Sequence, residues 1–301
     1  MLGKRRTEEL RLVKPIGERE TSDPVATPTS LPEPSAASVT SGVPAKNDGV
    51  NIAVEVRNAT LRYPIGPFVK GSIKAGLFGL FGRRESTPPP EFVDAITSLD
   101  LSIRMGERVG IIGSNGSGKS TLLRALAGVY PLQKGSIQIV GQIGTLLDIS
   151  LGFEPESTGR ENIYYRGMAM GYSRKEIAAA EAQIVDFAGL GGFIDLPMRT
   201  YSSGMYVRLG FAVSTQFRPD VLLIDEVFGA GDAAFADKAL KRMLAIVQSA
   251  GIVVLATHDL ALVERLCTRV LWINRGVIAR DGHPSAVVPQ FSQFMAGNLA
   301  I

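Results

Sequence analysis

Residues 113–120 read Gly113, Ser114, Asn115, Gly116, Ser117, Gly118, Lys119 and Ser120. They match G-x-x-x-x-G-K-[ST] in full. Glycines let backbone N–H groups curl around phosphate oxygens, and a following helix N-terminus adds positive potential. In such a loop Lys119 reaches the β- and γ-phosphates of a nucleotide, Ser120 ligates Mg²⁺ and Thr121 bonds an α-phosphate oxygen. Further on, the apolar run Val221–Ile224 ends in two carboxylates, Asp225 and Glu226. Asp225 suits a Mg²⁺ shell, and Glu226 is placed to reach an attacking water. Ser202 opens an apolar helical stretch, with the N–H groups of Ser203 and Gly204 beside it. That is a second anion site.

The elements needed to hold these residues are readable. Val109–Ile112 predicts a short strand before the loop, and a helix then runs through Ala127, with Gly128 as its C-terminal cap. Val221–Ile224 and Ile252–Ala256 are continuous apolar runs, as in buried parallel sheets. Asn51–Val56 and Leu99–Ile103 alternate like half-buried strands. Asn274-Arg275-Gly276, between Leu271–Ile273 and Val277–Ala279, signals a hairpin. From about 155 to 217 there is no good strand, and Thr158 with Glu161 and Ser173 with Glu176 spell two capping boxes. A helical segment of about 152–218 therefore interrupts an α/β core.

Two regions stand apart. Residues 1–49 are rich in Pro, Ser and Thr, with no apolar period, and read as a disordered tail. Residues 64–94 form an insert in which Val69, Ile73, Leu77, Leu80 and Phe81 share one helical face. The insert reads as an amphipathic element, and residues 291–301 as a short C-terminal tail.

Composition narrows the classes. The 301 residues carry 32 basic and 29 acidic side chains, too balanced for a nucleic-acid binder. One cysteine, Cys267, excludes an internal disulfide framework, and with His258 and His283 leaves little for a zinc site. No apolar run approaches the ~18 residues that cross a bilayer. The expectation is a soluble cytosolic protein.

Together the motifs resemble the ATPase subunit of ABC transporters. The signature there is LSGGQ; here it is Tyr201-Ser202-Ser203-Gly204-Met205. With Phe153-Glu-Pro155, Thr158-Gly-Arg-Glu-Asn162 and Gly231-Asp232-Ala-Ala-Phe235, it is similar to the subgroup exporting polysaccharide, O-antigen and teichoic acid. The resemblance covers about residues 51–290. It implies a P-loop NTPase of ABC type, α/β with an antiparallel β-subdomain and an inserted helical subdomain, within 50–290. It implies ATP and Mg²⁺ as cofactors, with Lys119, Glu226 and His258 catalytic, His258 at the γ-phosphate, and Ser120 and Asp225 on the metal. Tyr63 would stack on adenine, Asp232 would form the D-loop, and Ser202, Ser203 and Gly204 would act on the nucleotide of a second copy paired head to tail.

A homodimer of such subunits would drive a separate membrane permease from the cytoplasmic face of the inner membrane. The cargo would be a lipid-linked polysaccharide; the alternatives are another lipid or drug substrate, or an ABC ATPase that transports nothing. In such exporters a helix placed like the insert lies at the membrane interface. One departure matters. The family's sensing glutamine is missing near Asp148–Phe153; Gln142 lies too close to the loop, and Asp148 is the polar candidate.

Overall fold

A computed structural model describes residues 39–41, 52–65, 91–147, 149, 152–225 and 233–297. All lie within the unit Pro34–Ile301. Two sheets carry the fold. The first joins β1 (Val39–Ser41), β5 (Lys134–Ile139), β2 (Ile52–Ile65) and β3 (Glu91–Arg104), in that spatial order. β2 runs antiparallel to both β3 and β5. This is the expected antiparallel β-subdomain.

The second sheet has the order β10 (Val277–Gly282), β9 (Arg269–Asn274), β4 (Arg108–Ile112), β8 (Ile252–Ala256), β7 (Val221–Asp225) and β6 (Ile143–Leu146). β9, β4, β8, β7 and β6 are mutually parallel, and β10 is an antiparallel edge. Parallel strands covered on both faces need apolar side chains on both, which is why Val221–Ile224 and Ile252–Ala256 are unbroken. Alternate residues of β7 enter different cores. Val221 and Leu223 pack with Leu122, Leu126, Leu61 and Ile103 between the sheets. Leu222 and Ile224 pack with Ile163, Ile184, Phe187 and Phe211 beneath the helical segment.

That segment lies between β6 and β7 and holds α2 (Gly159–Ala169), α3 (Arg174–Ala188) and α4 (Ser203–Ser214), after α1 (Lys119–Leu126) earlier in the chain. Both predicted capping boxes form. Glu161 accepts from the Thr158 N–H at 2.8 Å, and Glu176 from the Ser173 N–H at 2.8 Å. Hydrogen bonds from the Thr158 backbone, and from the Ser173 hydroxyl and backbone, hold these carboxyls below their ordinary values. Hydrogen bonds from Tyr164 and Arg160 lower Glu181 likewise, and Arg160 lowers Asp195. A carboxyl with a lowered folded value stabilises the fold above its unfolded pKa, and that stability is lost as pH falls through the folded value. Thermal melts between neutral pH and about pH 3 should thus show this segment weakening below about pH 4. In Thr158→Ala the acid-dependent loss should be smaller.

Asn162 ties the entry loop to α2. It is fully buried. Its amide donates to the carbonyls of Glu154 (3.0 Å), Ser157 (3.3 Å) and Thr158 (2.9 Å), and its oxygen accepts from the Glu154 N–H at 2.7 Å. Asn162→Ala orphans those backbone groups and should destabilise the chain by about 3 kcal/mol in urea unfolding.

The structure departs from the sequence reading in three places. The tail expected over 1–49 contributes β1, which pairs in parallel with β5, Val39 opposite Ile137 and Ser41 opposite Ile139. The outer edge of β5 offers unpaired backbone groups, and Val-Thr-Ser is short and β-prone enough to take them. Second, β2 and β3 are 14 residues each, and their pairing continues to Ile65 opposite Glu91. The insert begins and ends inside that hairpin rather than at 64 and 94. Register shifts around Asn58 and Ser98, both at positive φ, break the alternation that would have shown the full strands. Third, the tail expected over 291–301 begins inside a helix, Pro284–Met295, whose Phe291 is buried against Trp272. The end of α1, by contrast, is as expected, with Gly128 at φ 72° and the Gly128 and Val129 N–H groups bonded to the Ala125 and Arg124 carbonyls. The amphipathic face from Val69 to Phe81 lies outside the described residues.

Candidate nucleotide site

The chemistry gathers at one edge of the second sheet. β4, β8 and β7 are neighbours, and Ala256 of β8 stands opposite both Ile111 and Asp225. The loop Gly113–Gly118, Asp225 and His258 therefore all leave the carboxyl ends of adjacent parallel strands. Open α/β sheets bind ligands at that edge.

The loop is shaped for an anion. Gly116 and Gly118 take φ of 76° and 111°, values that disfavour a side chain. A Cβ on Gly113 would stand 2.3 Å from the Ile273 carbonyl oxygen, and one on Gly118 would stand 2.5 Å from that of Ala95. Lys119 is 8% exposed, and its ammonium donates to the carbonyls of Gly113 (2.9 Å) and Ser114 (3.1 Å). Among the described residues it pairs with no carboxylate. Held by two carbonyls, the ammonium meets no anion among the described residues, and a phosphate would supply one. The helix that follows has Gly118 at its cap, no side-chain cap and no acid in its first turn. Its N-terminal N–H groups thus meet no competing oxygen from a capping side chain. Buried Lys119 and uncapped α1 fit the phosphates of a nucleotide, and Ser120 with half-buried Asp225 supplies the hard oxygen donors that suit Mg²⁺.

Tyr63 sits beside this loop. Its hydroxyl donates to Thr121 Oγ1 at 3.4 Å, and its ring meets Tyr130 edge-on with centroids 5.6 Å apart. Burial raises its phenol above the ordinary value. Tyr130 escaped the sequence reading, since nothing local marks it as a neighbour of Tyr63. His258 is exposed, two residues beyond the end of β8. The next residue, Asp259, caps the helix Leu260–Leu266 by accepting from the Leu262 N–H at 3.0 Å.

Ser202, Ser203 and Gly204 lie at the N-terminus of α4. Ser202 is its N-cap, accepting from the Met205 N–H at 3.3 Å, and both serines are exposed. An aromatic chain fixes this end: Tyr201 meets Tyr206, and Tyr206 meets Phe153, each with centroids 6.0 Å apart. Burial lowers the Arg166 guanidinium, over the Phe153 ring, to about 10.

Gln142 cannot serve as the sensing residue. It precedes β6 at the amino end, where its N–H bonds Asp220 and its amide bonds the Met170 carbonyl. β6 is four residues long, so about 13 Å of strand separates Gln142 from the site edge. Glu226, Asp232 and Asp148 lie outside the described residues.

Comparison with known proteins agrees with this geometry. Residues 96–229 match the family described as ABC transporter. The O-antigen export system ATP-binding protein RfbE of Yersinia enterocolitica is 41% identical over 228 residues, 75% of this chain and 95% of that protein. RfbB of Myxococcus xanthus, with the same description, is 45% identical over 214 residues; the match takes in 71% of this chain but only 49% of that protein, about half its length. A dimeric ATP-binding cassette solved in a post-hydrolysis state with ADP and Pi shares the fold, with a TM-score of 0.57 at 20% identity over 77% of this chain and 98% of that one. The chain belongs to the ABC transporter family and is similar to its O-antigen export ATP-binding proteins.

Proposed function

We propose that the chain is the ATP-hydrolysing subunit of an exporter that moves a lipid-linked polysaccharide outward through a separate permease. The observation that carries the ATPase part is the buried Lys119, which meets no carboxylate among the described residues, at the start of an uncapped helix on the sheet edge shared with Asp225 and His258. The O-antigen relatives support the cargo. In this reading the loop and Lys119 hold the phosphates, while Ser120 and Asp225 hold Mg²⁺, which neutralises phosphate charge when bound. Glu226 orients and deprotonates the water, His258 contacts the γ-phosphate, and Tyr63 stacks on adenine.

Ser202, Ser203 and Gly204 act on the nucleotide of a second copy, with Asp232 at the same interface. Gly204 supports this. A Cβ there would meet nothing nearer than Ser202 Oγ at 3.9 Å, and its φ is not positive. Alanine would favour the helix by about 1 kcal/mol. The chain's own fold therefore does not require glycine, whereas close approach of a ligand would.

Among the described residues no helix is long and apolar enough to cross a membrane. We place the subunit on the cytoplasmic face of the inner membrane, held by its permease, with the insert's amphipathic face at the membrane interface. Affinity purification of the tagged chain from detergent-solubilised host membranes tests this. A multi-span membrane protein in equal amount, encoded beside polysaccharide-assembly genes, is the expected result. A permease from a drug or other lipid system would replace the cargo, and recovery of ribosomes or DNA alone would refute transport.

A further inference from the structure

A phosphate loop that turns its N–H groups inward must turn its carbonyls outward, and each of those needs a donor. Most donors here are local. Gly113 and Ser114 carbonyls receive Lys119, Ser114 also receives the Ser117 N–H at 3.2 Å, and Gly118 receives the Leu122 N–H at 2.9 Å. The Ser117 carbonyl is different. It accepts at 2.9 Å from the N–H of Gly276, 159 positions along the chain, in the turn between β9 and β10. Gly276 in turn gives its carbonyl to the Thr97 N–H of β3 at 3.0 Å.

The fit at this point is close. Gly276 has φ 78°, and a Cβ on it would stand 2.9 Å from the Ala95 carbonyl oxygen. The same oxygen stands 2.5 Å from where a Cβ of Gly118 would be, and that Cβ would be 3.7 Å from the Gly276 Cα. The turn, the start of β3 and the loop are thus in backbone contact at glycines. The turn itself is held by the two-stranded ladder and by Arg269, which binds both oxygens of Asp281 at 2.7 and 2.6 Å.

We propose that Gly276 is a positioning residue of the nucleotide site. Its N–H holds the Ser117 carbonyl outward and so keeps the loop's own N–H groups aimed at the phosphates. The proposal rests on the nucleotide-binding reading. It assigns the Asn274-Arg275-Gly276 turn a role beyond closing a hairpin.

The test compares wild type, Gly276→Ala, Arg275→Asn and Gly189→Ala by binding of a fluorescent ATP analogue with Mg²⁺. Arg275→Asn keeps the Gly276 donor and suits φ 48° better than arginine does. Gly189→Ala strains the cap of α3, at φ 59°, away from the loop. Gly276→Ala retains an N–H, but its Cβ strains φ 78° and crowds the Ala95 carbonyl oxygen at 2.9 Å, so the turn shifts and the N–H leaves the Ser117 carbonyl. Kd should rise about tenfold, the scale of one lost hydrogen bond, while the other two should stay within about twofold of wild type. Amide hydrogen exchange on wild type gives a reading that needs no variant. Protection of the Gly276 N–H should rise about tenfold or more on nucleotide binding, while that of Gly282 in the same hairpin stays level. An unchanged Kd in a folded Gly276→Ala protein, or a Gly276 amide indifferent to nucleotide, would overturn the proposal. Wild type that binds no nucleotide would instead overturn the reading beneath it.

Discussion

Glu226→Gln is expected to lower ATP turnover by roughly 10²- to 10⁴-fold, the range for loss of a general base. Nucleotide should stay bound. Asp225 ends β7 opposite Ala256, level with Ile111 of the loop's own strand, and Glu226 is the next residue. Glutamine keeps the size and can still accept a hydrogen bond from water, but it cannot take the proton. Phosphoryl transfer otherwise runs on positioning and charge neutralisation, which the proposed function assigns to Lys119, Mg²⁺ and the loop. Phosphate release measures turnover, and nucleotide retained through gel filtration measures binding. Turnover close to wild type would remove Glu226 from its role.

Lys119→Ala should act a step earlier. Its ammonium is the buried charge of the site, and its stem is packed with it. Removal leaves the Gly113 and Ser114 carbonyls without that donor and takes away the cation facing the phosphates. ATP affinity should fall on the order of a hundredfold, as for loss of a charge-assisted hydrogen bond in a buried site. Turnover should become undetectable. Equilibrium binding of labelled ATP separates this variant from Glu226→Gln: one binds far more weakly, the other binds normally without turning over. Similar affinity in both would mean that the phosphates are held elsewhere.

The parts of this site that the sequence discloses are those built from neighbours in the chain. A strand, a glycine loop, a lysine and a helix follow one another within Arg108–Leu126, so spacing alone names their geometry. The capping boxes at Thr158 and Ser173 are equally local, as is the turn at Arg275 and Gly276, both at positive φ. What stays hidden depends on register or distance. Positive φ at Asn58 and Ser98 shifts the β2–β3 pairing, so half of each strand loses its alternation. β1 exists because the edge of β5 is open, a fact of the sheet rather than of Val39–Ser41. Tyr130 beside Tyr63, and Gly276 beneath Ser117, are contacts between remote segments with no periodic trace. Ser202 is a different case: its role needs a surface that a single chain does not contain.

In the proposed function each ATP site is built from two copies, the loop of one and Ser202 of the other. Mixing two inactive variants tests it directly. Lys119→Ala removes the phosphate-binding side and Ser202→Arg blocks the signature side, so neither homodimer has an intact site. A mixed dimer pairs the good loop of one chain with the good signature of the other. On random two-fold pairing, half the dimers are mixed and each has one intact site, so phosphate release should recover to roughly a quarter of wild type. A mixture as inactive as its components, with exchange of subunits verified, would contradict the claim.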